Sequence, residues 1–67
     1  MESILTKREK EIFELLICDY SILEISKLLG ISDKTVRNHI SNVIQKLDVR
    51  DRCQAIIFLL KIKELYL

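Results

Sequence analysis

Residues 21–47 read SILEISKLLGISDKTVRNHISNVIQKL, and this stretch contains two amphipathic helices separated by a very short break. Ser21-Ile22-Leu23-Glu24 has the form of a capping box, in which a hydroxyl and a carboxylate three residues apart satisfy each other's free amides. Ile22, Ile25, Leu28 and Leu29 then come at helical spacing, giving a helix of about two turns. Gly30, the only glycine in a chain without proline, suits the turn that ends a helix. Ile31 can plug the space between the two helices, and Ser32 can cap the second of them. From Asp33 to Leu47 the apolar residues Val36, Ile40, Val43, Ile44 and Leu47 fall on one face. The opposite face carries Lys34, Asn38, Ser41, Asn42 and Gln45, flanked by Arg37 on one side and by Thr35 and Lys46 on the other. A short helix, a Gly-containing turn of three or four residues and a longer helix with a donor-rich face make a helix-turn-helix unit.

The flanks extend this unit at both ends. Thr6-Lys7-Arg8-Glu9 is a second capping box, with Leu5 ahead of it as a possible staple. A first helix runs from it through Ile12, Phe13, Leu15, Leu16 and Ile17 to about Cys18, and Asp19-Tyr20 breaks it. On the other side Asp48 leaves the third helix and tolerates a left-handed conformation. Asp51 can cap a fourth helix reaching toward Leu65. The fourth helix is apolar on two sides, with Ala55, Phe58, Leu59 and Ile62 on one and Cys53, Ile57 and Leu60 on the other. One side serves the core. The other is exposed in a domain this small unless it folds under helix 1 or meets another chain, and a second copy is the simplest partner. The expected fold is all-α, a single four-helix domain over residues 1–67. A chain of this length buries only about 60% of its unfolded surface, which favours association.

Composition narrows the classes. The net charge is only +1, yet residues 33–52 carry +2 and residues 1–19 carry −2, so a local basic patch is available in the second half. No apolar run approaches the roughly 18 residues a membrane span needs, and Met1-Glu2-Ser3 leads into a charged helix rather than a signal sequence. A cytoplasmic, nucleoid-associated protein with no membrane partner is expected. Cys18 and Cys53 stand 35 positions apart without a CxxC pair, so neither a metal site nor a disulfide framework is signalled, and both read as reduced, packed thiols. His39 is the only histidine and lies at the edge of the apolar face of the third helix. No carboxylate pair, nucleophile with base or glycine-rich phosphate loop accompanies it, so no enzyme activity and no cofactor is expected.

The donor-rich face suits duplex DNA. Arg and Lys can bond guanine, Asn and Gln can pair with adenine, and hydroxyls reach bases or phosphates in a major groove that admits one helix. A solvated helix surface is the plainer account of the same residues, and the helix-turn-helix context favours DNA. A protein-binding module that sequesters another regulator remains the alternative, since fold alone does not fix function.

Leu5-Thr6, Arg8-Glu9, Glu11-Ile12, Glu24-Ile25, Leu28, Ile31-Ser32, Thr35-Val36, His39-Ile40, Lys46-Leu47, Val49, Arg52 and Ala55 occur in order over nearly the whole chain. This pattern resembles the LuxR-type DNA-binding domain. The resemblance implies a transcription regulator whose third helix enters the major groove and whose fourth helix forms a homodimer on inverted-repeat sites. By position it implies base contacts from Arg37, Asn38 and Ser41, phosphate contacts from Ser32, Lys34, Thr35 and Lys46, and a dimer surface at Cys53, Ile57, Leu60 and Lys61. Most members attach this domain to a receiver or ligand-binding domain. With four residues ahead of Leu5, the chain is similar instead to a stand-alone member acting on late spore-coat genes, which implies a sporulation role. RNA polymerase is a further partner for an activator; Glu11 and Glu14 would offer it an acidic surface or simply form a solvated face. The chain departs from the family at Asp19-Tyr20 and Asp48, where glycine is frequent, and at Ser26, where alanine is. The first change is expected to alter the loop before helix 2.

Overall fold

A computed structural model describes residues 3–67. The reading of Met1 and Glu2 as part of a lead into the first helix lies outside the described residues. Four helices occur in order: α1 Lys7–Ile17, α2 Ile22–Leu29, α3 Asp33–Leu47 and α4 Arg52–Lys61, with no strand among the described residues.

Each helix starts on a side-chain cap. The Thr6 hydroxyl accepts from the Glu9 amide at 3.1 Å while the Thr6 amide donates to the Glu9 carboxylate at 2.9 Å, and Ser21 and Glu24 repeat the exchange at 3.1 and 2.8 Å. Ser32 caps α3 through the Thr35 amide, and Asp51 caps α4 through the Gln54 amide. The ends share a second device. Asp19, Gly30, Asp48 and Lys63 take left-handed φ values of 68°, 68°, 55° and 61°. In each case the next amide reaches back five residues: Tyr20 to the Leu15 carbonyl, Ile31 to Ser26, Val49 to Ile44 and Glu64 to Leu59. These are Schellman closures, and only Gly30 makes one free of the Cβ penalty of about 1–2 kcal/mol. Asp48 adopts the left-handed state expected of it. Asp19 does the same, so the loop before α2 keeps a left-handed closure without glycine.

Helix α3 lies at the centre and packs against the other three. Its inner residues Val36, Ile40 and Val43 join Leu5, Ile12, Phe13, Ile25, Ala55, Leu59 and Leu65 in one core, with Ile31 packed against it from the turn. Leu5 is a core residue in its own right.

Four expectations are corrected. Helix α4 stops at Lys61: Lys63 reverses the chain, both Glu64 and Leu65 amides donate to the Leu59 carbonyl, and Leu65 returns to the core at 2% exposure. On α4 only Ala55 and Leu59, one turn apart, are fully buried, and Phe58 and Ile62, set to one side of that stripe by the 100° step of the helix, stay exposed. Leu28 is exposed too, because α2 turns the face of Ile25 and Ser26 into the core and Leu28 lies off that face. Cys18 and Cys53 are free but exposed rather than packed, since one sits at the end of α1 and the other in the uncovered first turn of α4.

Candidate nucleic-acid interface

With Val36, Ile40 and Val43 turned into the core, the 100° step of the helix turns Lys34, Arg37, Asn38, Ser41, Asn42 and Gln45 outward, and all six are exposed. The three residues expected to touch bases, Arg37, Asn38 and Ser41, therefore share one open face. None of the six makes a side-chain hydrogen bond or ion pair among the described residues. Their donors are free to meet a ligand without breaking an internal bond.

The expected phosphate residues divide into two groups. Ser32, Lys34 and Thr35 cluster at the start of α3, where the Ser32 and Thr35 hydroxyls lie 2.9 Å apart beside the positive end of the helix. Lys46 stands apart and turns inward. Its ammonium lies 2.6 Å from the Glu9 carboxylate and donates to the Ile4 carbonyl at 3.1 Å. A phosphate contact from Lys46 would have to use the one ammonium hydrogen left over.

Glu9 therefore does two jobs, capping α1 and tying α1 to the second half of α3. Burial pushes its carboxyl pKa up, but the Lys46 ammonium and the Thr6 amide and hydroxyl outweigh it, so the carboxyl titrates below its usual range. A folded pKa below the unfolded one stabilises the fold above about pH 4.3, and the contribution fades as pH falls through the folded value. Glu9→Gln should thus cost about 1–3 kcal/mol at neutral pH, toward the lower end because Lys46 is partly solvated. The gap to the unchanged protein should close in acid. Urea melts of both proteins at neutral pH and near pH 3 test this, and a gap of the same size at both would remove the ion pair from the account.

Sequence reading missed two features. The Glu9–Lys46 bond spans 37 positions, and no local pattern announces it. An open groove of about 570 Å³ also runs beside α3, with Arg37 and Ser41 on one wall and Arg50 and Arg52 on the other. Arg50 and Arg52 could have been noticed as a pair of cations around the Asp51 cap. At the expected dimer surface, Cys53, Ile57 and Lys61 are exposed, whereas Leu60 is half-buried against the core. Exposed Phe58 and Ile62 continue the apolar strip in its place. On the other side of the molecule Glu11 and Glu14 border a depression with Leu15, Leu28 and Leu29.

A two-turn helix, a three-residue turn and a longer helix with an open donor face, all held on a four-helix scaffold, define a helix-turn-helix DNA-binding protein. The pattern described as "Bacterial regulatory proteins, luxR family" matches residues 3–59. The chain belongs to this family and is a DNA-binding transcription regulator. It is 58% identical over 64 residues to the spore germination protein GerE of Bacillus subtilis, covering 96% of this chain and 86% of that one. It is 50% identical to the transcriptional regulatory protein DegU of Brevibacillus brevis over 81% of this chain but only 23% of DegU. A solved structure of the transcription factor GerE superposes with a TM-score of 0.94 at 62% identity, covering 97% of both chains.

Proposed function

We propose that the protein works as a homodimer that reads inverted-repeat duplex sites, each copy laying α3 in a major groove. Arg37, Asn38 and Ser41 would contact base edges, and Ser32, Lys34 and Thr35 the phosphates. The observation that carries this reading is the open row of unpaired donors on α3, turned directly away from the core that fixes the helix. A groove-reading helix needs both properties, rigid placement and uncommitted donors. The exposed strip at Cys53, Ile57, Phe58 and Lys61 of α4 supports the homodimer. Likeness to a protein called a spore germination protein supports a sporulation role; its assignment to late spore-coat genes extends the resemblance noted in the sequence. The place of action would be the nucleoid in the cytoplasm, with RNA polymerase as partner at activated promoters.

Selection of bound duplexes from a random pool at near-physiological salt tests the reading. Enrichment of an inverted repeat with half-site centres about one helical turn apart is expected. No enrichment by folded protein would overturn base reading and favour a module that sequesters another regulator. On the selected site, Arg37→Ala should lose about 1–3 kcal/mol and relax preference at one base position, as a bidentate contact would. Equal weakening on every sequence would move Arg37 to the phosphate class.

A further inference from the structure

The groove beside α3 is a basic site that the helix-turn-helix unit does not account for. One wall is the edge of α3 that bears Arg37 and Ser41, and the floor includes Ile40 and Ile44. The other wall is the α3–α4 turn and the start of α4, with Arg50 and Arg52. All three arginines are exposed, and none is in an ion pair among the described residues. Asp51, between the last two, also lines the trough, where its carboxylate accepts the Gln54 amide at 2.9 Å as the cap of α4. The turn itself is held firmly: the Val49 amide closes on Ile44 and the Arg50 amide donates to the Gln54 side chain at 3.0 Å. Three guanidiniums are thus collected around one trough against the single carboxylate of Asp51, which leaves the trough with an excess of positive charge.

We propose that Arg50 and Arg52 form a second phosphate-binding locus, which clasps the sugar–phosphate strand at the margin of the major groove while α3 reads the bases. This rests on the DNA-binding reading above and extends it to the α3–α4 turn. Charge supports it, since unpaired guanidiniums fit the bidentate geometry of a phosphodiester. Continuity supports it too, because Arg37 and Ser41 belong both to the base-reading face and to the trough. A helix seated in the major groove has a phosphate strand along each flank. Ser32, Lys34 and Thr35 serve the end where α3 begins, and Arg50 and Arg52 serve the end where α4 begins.

The test measures binding of Arg50→Gln, Arg52→Gln and the double variant to duplexes with one half-site, so that dimer contacts do not enter. Each protein is titrated against the selected half-site and a scrambled duplex between about 50 and 200 mM salt. Each substitution should flatten the slope of log K against log salt by about 0.9, the double by about twice that, and both duplexes should weaken by the same factor. Arg→Lys at the same positions should restore most of the slope. An unchanged slope, or unequal weakening of the two duplexes, would overturn the phosphate assignment. Thermal melts by circular dichroism establish that the variants are folded, and a variant that melts early is replaced by its Lys counterpart and the corresponding Ala. Should the unchanged protein lack affinity for either duplex, the DNA-binding reading itself would fail, an outcome distinct from a flat comparison among variants.

Discussion

Leu65→Ala should destabilise the protein by about 2–5 kcal/mol, the cost of a cavity left by a large aliphatic side chain that the core cannot fill. The residue is the third from the end of the sequence, a region where substitutions are commonly tolerated. Here it is 2% exposed and held by a reversal at Lys63, with the Glu64 and Leu65 amides bonded to the Leu59 carbonyl at 2.9 and 3.2 Å. The tail is fastened at its other side as well, since the Glu64 carboxylate accepts from the Ser3 hydroxyl and from the Ile4 amide. A chain of 67 residues has a total stability of roughly 3–10 kcal/mol, so the loss would take a large part of it. Urea denaturation followed by circular dichroism measures it, with the midpoint falling and the slope unchanged. A loss below about 1 kcal/mol would mean that the tail detaches readily and that the core closes without it.

Ile57→Asp should separate the proposed dimer. Ile57 is 52% exposed on α4 between Cys53 and Lys61, next to Phe58, and a carboxylate there would have to be desolvated and left unpaired if two strips met. Sedimentation should report monomers at concentrations where the unchanged protein is dimeric. Affinity for a two-half-site duplex should fall by about 10²–10⁴-fold, because each copy then binds without the effective concentration its partner supplies. Affinity for a single half-site should barely move. A variant that stays dimeric would place the interface on another surface, and a monomer that still binds both half-sites at full strength would remove the dimer from recognition.

What was legible in the sequence was mostly local. Thr6, Ser21, Ser32 and Asp51 each precede a helix by one residue and bond an amide within three residues, so their roles can be read from short windows. The inner face of α3 was legible because Val36, Ile40 and Val43 repeat at the period of a helix with one buried side. The exposed donor-rich face of α3 emerged as its complement. The end of α4 was not legible: a lysine, not a glycine, takes the left-handed position, and the apolar residues continue past it. Phe58 and Ile62 fit the pattern of a core face, but α4 fully buries only the stripe of Ala55 and Leu59. The Glu9–Lys46 tie and the arginine trough depend on tertiary proximity, which periodicity does not encode.

The isolation of the α3 row from the rest of the molecule has a consequence for how such regulators diversify. Arg37, Asn38, Ser41, Asn42 and Gln45 support no helix cap and no internal bond, while every contact that holds α3 in place lies on its other side or at its ends. Drift at these five positions therefore meets little resistance from folding, and with α3 reading bases as proposed, a duplicated copy could acquire a new operator while its scaffold stays under selection. Vocabulary and grammar are kept on opposite sides of one helix, so the first can be rewritten without the second.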